Sequence, residues 1–225
     1  MEQRRAARPR EVRLAAAGAL LIALTWGARG WLHAEQPHAV GQAAPPDIRP
    51  GDIVLRRGRD LASAVVLASD PASRFSHSGI VVRIGALPAI VHVLPRNSSP
   101  GSGKVLIEPF SEFTAPENAS EIAIYRFADP DSRIPAEASR VALTLFREEK
   151  PFDDSFRLDT PDSLYCTELV WRAFLAGGVD LVDGRFKHLS LPLKKGKFIL
   201  PSTLAASPHL SRVDHHHYDR NEENP

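Results

Sequence analysis

With a single cysteine in 225 residues, the chain has no means of closing an internal disulfide, and whatever Cys166 does it does as a free thiol. Charge of one sign is also lacking. The 28 basic and 27 acidic residues leave a formal net charge of +1, which offers no basic face for nucleic acid. No segment repeats at a fixed period, so repeat architectures are excluded. Long apolar runs are missing too: the uncharged stretch Leu14 to Ala28 is shorter than the ~20 residues of a membrane-spanning helix. Proline, by contrast, is plentiful. The 19 prolines fall mostly between periodic segments, which points to a loop-rich fold.

The amino end reads as an export signal. Arg4, Arg5, Arg8, Arg10 and Arg13 precede the Ala- and Leu-rich stretch 14–28, a basic region followed by an apolar one. Residues 1–34 are assigned to a signal peptide or signal anchor; no clean small-x-small site follows the apolar stretch, and Leu32-His33-Ala34 is the candidate for cleavage. No cysteine stands just after it, so lipoprotein processing is excluded. The arginines should stay in the cytoplasm by the positive-inside tendency. The expected location of the rest is therefore the periplasm, either free or anchored to the inner membrane through residues 14–28. Residues 35–50 read as a linker, 51–213 as one domain with its own core, and 214–225 as a polar, disordered tail. The tail holds His215, His216 and His217, but no acid or thiol frames them at ligand spacing. No metal and no cofactor is expected.

Within the domain, Gly51-Asp52 opens a short strand at Ile53-Val54-Leu55. Leu61 to Ala68 predicts a short buried helix with Asp60 as N-cap. Gly79–Ile84 and Ala89–Leu94 predict an antiparallel hairpin with a four-residue loop, Gly85 to Pro88. Strands are also expected at Lys104–Ile107 and Glu121–Phe127. Pro135–Glu149 has helical spacing, with proline at its first position. Helices flanking a small antiparallel sheet make an α+β domain.

From Cys166, the residues Leu169, Val170, Ala173 and Phe174 fall on one helical face, and Gly177-Gly178 supplies the stop. A thiol in the first turn of a helix faces unpaired N–H groups and the positive end of the dipole, which favour thiolate. On position alone, a nucleophile and a small buried hydrophobe are equally good readings. A partner base tips the balance. His77 stands at the entrance of the first hairpin strand and His92 on the return strand. One can take the thiol proton while the other orients its ring. Glu168 points about 200° away from Cys166 round the helix and reads as a first-turn acid favouring the dipole.

Four blocks now carry a resemblance: Gly51-Asp52-Ile53-Val54-Leu55, Phe75-Ser76-His77-Ser78-Gly79-Ile80-Val81-Val82, Lys150-Pro151-Phe152-Asp153, and Tyr165-Cys166-Thr167-Glu168-Leu169-Val170-Trp171. Their order resembles that of permuted papain-like thiol hydrolases, in particular the YiiX and YebB-like group of the NlpC-type superfamily. The carboxy stretch Leu200 to Pro208 resembles the way these domains end. The resemblance implies a circularly permuted core with Cys166 as nucleophile, His77 as general base and His92 at the third, orienting position. Many relatives have glutamate at that third position. Permuted enzymes resembling lecithin:retinol acyltransferase have a second histidine.

Tyr165, Ser76 and Asp52 are expected to line the substrate or oxyanion site. The expected activity is hydrolysis of an amide or ester in the cell envelope through an acyl-enzyme on Cys166. Its partner would be an envelope peptide or lipid. Two other readings stay open: a lipid acyl hydrolase or acyltransferase, and a non-catalytic envelope module that uses the cleft to hold a ligand.

Overall fold

The computed structural model describes residues 43–191 and 194–217. The export signal, its apolar stretch and the first half of the linker lie outside these residues. Among the described residues no helix is long and apolar enough to cross a membrane.

Six strands form one antiparallel sheet: β1 (Ile53–Gly58), β2 (His77–Ile84), β3 (Leu87–Val93), β4 (Val105–Pro109), β5 (Ala119–Phe127) and β8 (Leu210–His217). Their order across the sheet is β4-β3-β2-β1-β5-β8. Strands β6 (Lys187–Leu191) and β7 (Lys194–Phe198), which the sequence pattern does not announce, pair as a separate hairpin. The helices are α1 (Leu61–Ser69), α2 (Phe110–Phe113), α3 (Ile134–Arg147), α4 (Cys166–Ala176) and α5 (Pro201–Ala205). The expected α+β class is the observed one.

Alternation along the strands sorts side chains to the two faces. Ile53, Leu55, Ile80, Val82 and Val91 face the larger core, which α4 closes with Leu169, Val170, Ala173 and Phe174. All four of these helical residues are buried, as their spacing predicts. Val54, Val81 and Ile90 face the other way and pack with Phe110 and Phe113 of α2. Gly51 supports this arrangement at the start of β1. Its φ is 88°, and a Cβ there would stand 2.3 Å from the Pro135 carbonyl oxygen at the start of α3.

Four expectations change. Helix α1 is capped by Asp60, whose carboxylate accepts from the Ser63 N–H at 2.7 Å, but it is not buried: Leu61 is 82 % and Val65 58 % exposed. The hairpin loop is two residues, because Leu87 pairs with Ile84 and Pro88 with Arg83. Proline is tolerated there because β4 reaches only as far as Ala89, so the missing N–H breaks no ladder. The linker ends early, since Ile48 is buried in the smaller core and Asp47 pairs with Arg126. The polar tail is not free chain up to His217. It forms the end of β8, with His216 opposite Ile122 and His215 bonded to Glu121 at 2.7 Å.

Candidate active site

Cys166 is the first residue of α4, and its partly exposed side chain opens into a cavity of about 340 Å³. His77, at the first position of β2, lines the same cavity together with Ser76, Arg56, Phe152 and Phe156. The expected nucleophile and the expected base thus come from different elements and share one space. Among the described residues no hydrogen bond joins them, as is common before substrate tightens such a pair. The Ser78 hydroxyl and backbone N–H beside Cys166, together with the Thr167 and Cys166 N–H groups, favour the thiolate as a helix start should. Burial outweighs them and pushes the thiol up. The resting sulfur is therefore a thiol, not the ready thiolate that helix position alone suggests.

The base is oriented by a chain of contacts that runs through three strands. His77 Nε2 lies 2.9 Å from His92 Nδ1, and His92 Nε2 lies 3.1 Å from Glu108 Oε2 on β4. The second contact is off line for a good hydrogen bond but close enough to fix the tautomer. Burial opposes charge on Glu108, yet His92 and Arg56 more than offset it and hold the carboxyl below its usual range. An ionised carboxylate oxygen at that distance requires a proton on His92 Nε2. His92 Nδ1 then accepts, His77 Nε2 donates, and His77 Nδ1 is left without a proton. Glu108 sets the direction of the whole chain.

Burial, the Arg56 guanidinium and His92 together drive His77 well below the usual histidine range. Burial also lowers His92, with Glu108 opposing and Arg56 assisting. Both rings pack on Phe113, with centroids 5.7 and 4.9 Å away. Arg56 pairs with His77 in the β1–β2 register, donates to the Phe113 carbonyl at 2.9 Å and stacks on its ring at 4.3 Å. Its Nε is buried without a hydrogen-bond partner.

Glu108, Arg56 and Ser78 stand against His92, His77 and Cys166 and are not among the residues that the sequence pattern singles out. The available signal for Glu108 was its place in an alternating strand. Glu108 pairs with Ile90, and Leu106 with His92, so Glu108 and His92 share a face as diagonal neighbours.

The other expected lining residues divide. Ser76 does line the cavity, but its hydroxyl already accepts from the Gly58 N–H at 2.9 Å. The Tyr165 hydroxyl is taken by the Ile199 N–H at 3.0 Å, and its ring packs at 5.3 Å from Phe156, so it supports the site rather than the oxyanion. Asp52 is not in the site. Its two carboxylate oxygens hold Arg126 at 2.9 and 2.8 Å and accept the Arg49 N–H at 2.8 Å, at the far end of β1 from Arg56. A turn carboxylate beside a buried strand is better placed to bind a guanidinium than a substrate.

Asp153, from the Lys150–Asp153 block, accepts from the Ser155 and Arg157 N–H groups at 2.8 and 2.6 Å. It thereby ties down the loop that carries Phe156 to the cavity wall. Phe156 sits at φ 55°, a left-handed conformation costly for an aromatic residue and held here by its surroundings.

Glu168 is a first-turn acid, as read, and accepts the Tyr165 N–H at 3.2 Å. It is also fully buried, and Arg172 lies 2.6 Å away. Burial raises its pKa to about 7, against the opposing pull of Arg172. Because the folded value exceeds the unfolded one, the folded state binds more protons between pH ~4.5 and ~7, and this group's contribution to stability falls as pH rises through that window. Glu168→Gln should remove that slope. The variant should gain about 2–3 kcal/mol on wild type between pH 5 and pH 8, read from denaturant midpoints at each pH. A constant difference across pH would show that Glu168 is not protonated on folding.

Comparison with known proteins identifies the family and the fold. Residues 47–214 match the model of a family described as permuted papain-like amidase enzyme, YaeF/YiiX, C92 family. The fold is similar to a crystal structure of the metalloprotein YiiX from Escherichia coli O157:H7, with a TM-score of 0.60 and 20 % identity. That alignment covers 74 % of this chain and 96 % of that one. Among the described residues of this chain, no group of three or more His, Cys, Asp or Glu side chains is placed to hold a metal. No curated protein matches by sequence. The chain belongs to the YaeF/YiiX, C92 family of permuted papain-like amidases, and it is a thiol hydrolase.

Proposed function

We propose that the enzyme hydrolyses an amide or ester of the cell envelope through an acyl-enzyme on Cys166. The observation that carries this reading is the directed chain Glu108–His92–His77, which ends on the cavity where the thiol opens. His77 Nδ1 takes the Cys166 proton as the sulfur attacks the substrate carbonyl carbon. The oxygen gains charge beside the Cys166 N–H at the helix start, with the fixed charge of Arg56 nearby. The leaving amine or alcohol departs with the proton from His77. Water, deprotonated by the same nitrogen, then attacks the thioester and restores the thiol. His92 and Glu108 stabilise the His77 cation at each transfer. A histidine in the third position therefore does not argue for a non-catalytic module, since a carboxylate stands behind it.

The envelope assignment rests on the arginine cluster and apolar stretch that open the chain. We place the domain in the periplasm, either released or tethered. Alkaline phosphatase fused after Pro50 should be active, because that reporter requires an exported, oxidising compartment. The purified enzyme should release product from peptidoglycan fragments or from phospholipid vesicles, and Cys166→Ala should abolish the release. An inactive fusion would remove the envelope substrate. Turnover that survives Cys166→Ala would remove the acyl-enzyme.

A further inference from the structure

We infer that the acyl half of the substrate is an aliphatic chain, seated in the cavity between α1 and Cys166. This inference rests on the acyl-enzyme reading and names what occupies its acyl side. Any acyl group bonded to Cys166 must lie in or along the space into which the sulfur opens. That space is walled by Leu61, Ala62, Val65, Val66, Val93 and Leu94, with Phe152 and Phe156 beside the thiol.

Three polar side chains on its walls are each engaged elsewhere in the protein. Asp60 caps α1 through the Ser63 N–H, Ser76 holds the Gly58 N–H, and Arg56 Nη1 donates to the Phe113 carbonyl. A peptide or sugar on the acyl side would bring N–H and hydroxyl groups into a space with few partners for them, which is costly. A hydrocarbon chain brings none. The uncommitted Arg56 Nε belongs to the end near His77 and Cys166, where the ester or amide group itself would sit.

The exposed side chains fit the same occupant. Leu61 and Val65 stand one helical turn apart on α1, and both are exposed although both line the cavity. An apolar helix left open at the mouth of a catalytic cavity gives a chain an apolar route to the thiol. At about 340 Å³ the cavity is at the small end of ligand sites, which suits one chain of moderate length.

The test is the rate at which Cys166 of the full-length enzyme is alkylated by N-alkyl iodoacetamides, from ethyl to decyl. In each reaction the sulfur bonds to the methylene carbon, iodide leaves and His77 accepts the thiol proton. The rate constant should rise with chain length by up to about fourfold per methylene until the cavity is filled. Val66→Trp narrows the cavity from a half-buried position outside the core. It should cut the decyl rate at least tenfold and leave the ethyl rate within about twofold. Ala62→Phe should repeat the pattern. A rate independent of chain length, or variants that slow all reagents equally, would overturn the inference while leaving the hydrolase intact. If His77→Ala leaves the ethyl rate unchanged, the hydrolase reading itself fails.

Discussion

Replacing His77 by alanine should lower turnover about 10²–10⁴-fold and leave the fold in place. The size of the effect follows from the state of the thiol. Burial holds Cys166 above its ordinary pKa, so at neutral pH nearly every sulfur carries its proton and waits for a base. His77, driven well below the usual histidine range, is neutral there and ready to act. The pH dependence has a definite sign. A base with a depressed pKa stays unprotonated into mildly acidic solution. The acid limb of kcat/KM should therefore lie below the ~6.5 of an ordinary histidine. Alkylation by iodoacetamide should follow that limb in wild type. In His77→Ala it should instead climb about tenfold per pH unit towards the raised thiol pKa, since only free thiolate then reacts.

Glu108→Gln should give a smaller loss of turnover than His77→Ala. The amide no longer demands a proton on His92 Nε2, so the direction of the histidine pair is lost while both rings remain. Equal alkylation profiles in wild type and His77→Ala would show that the two residues do not act together.

Gly51→Ala should be among the most destabilising single-methyl additions in this protein. Two costs coincide there. The backbone sits at φ 88°, where any residue with a Cβ is strained, and that Cβ would meet the Pro135 carbonyl oxygen at 2.3 Å and its carbon at 2.5 Å. Neither atom is the end of a flexible side chain, so relief requires the starts of β1 and α3 to move apart. A loss of about 2–4 kcal/mol is expected from denaturant unfolding, without a change in slope. Gly85→Ala isolates the conformational part. Gly85 also has positive φ, 60°, but a Cβ there meets nothing within 4 Å. Its cost should be about 1–2 kcal/mol. Equal losses at the two positions would mean that the approach of Pro135 is relieved cheaply.

What could be seen in the sequence depended on whether one chain segment carried enough pattern. The stripe Leu169, Val170, Ala173 and Phe174 announces both a helix and its buried face, and it places Cys166 at the helix start without help from tertiary structure. His77 and His92 lie on two halves of one hairpin, so a strand-by-strand reading already brings them together. Glu108 was invisible for the opposite reason. A lone acid in an alternating strand looks solvent-facing, and only the β3–β4 register shows that it stands beside a buried ring. Arg56 is hidden in the same way, since its partners Glu108 and Phe113 lie more than fifty residues further along the chain. The end of β8 does not show in the sequence because an edge strand needs only one satisfied side, and a polar segment such as Val213 to His217 can provide it. The α1 stretch is the reverse case, for its apolar composition implies burial whereas the cavity mouth leaves Leu61 and Val65 in water.

The order of the elements along the chain has a consequence for assembly. His77, His92 and Glu108 sit on β2, β3 and β4, which are consecutive in sequence and hydrogen-bonded in that same order. Their contacts are local, of the kind that form early and cheaply during folding. Cys166 comes more than fifty residues after Glu108, beyond β5 and α3. A chain that is made or threaded from its amino end therefore presents the strands that build the base well before the sulfur arrives. Until α4 docks, the thiol has neither its burial nor its base. Base-assisted reactivity is thus acquired when α4 docks rather than carried by the cysteine through folding.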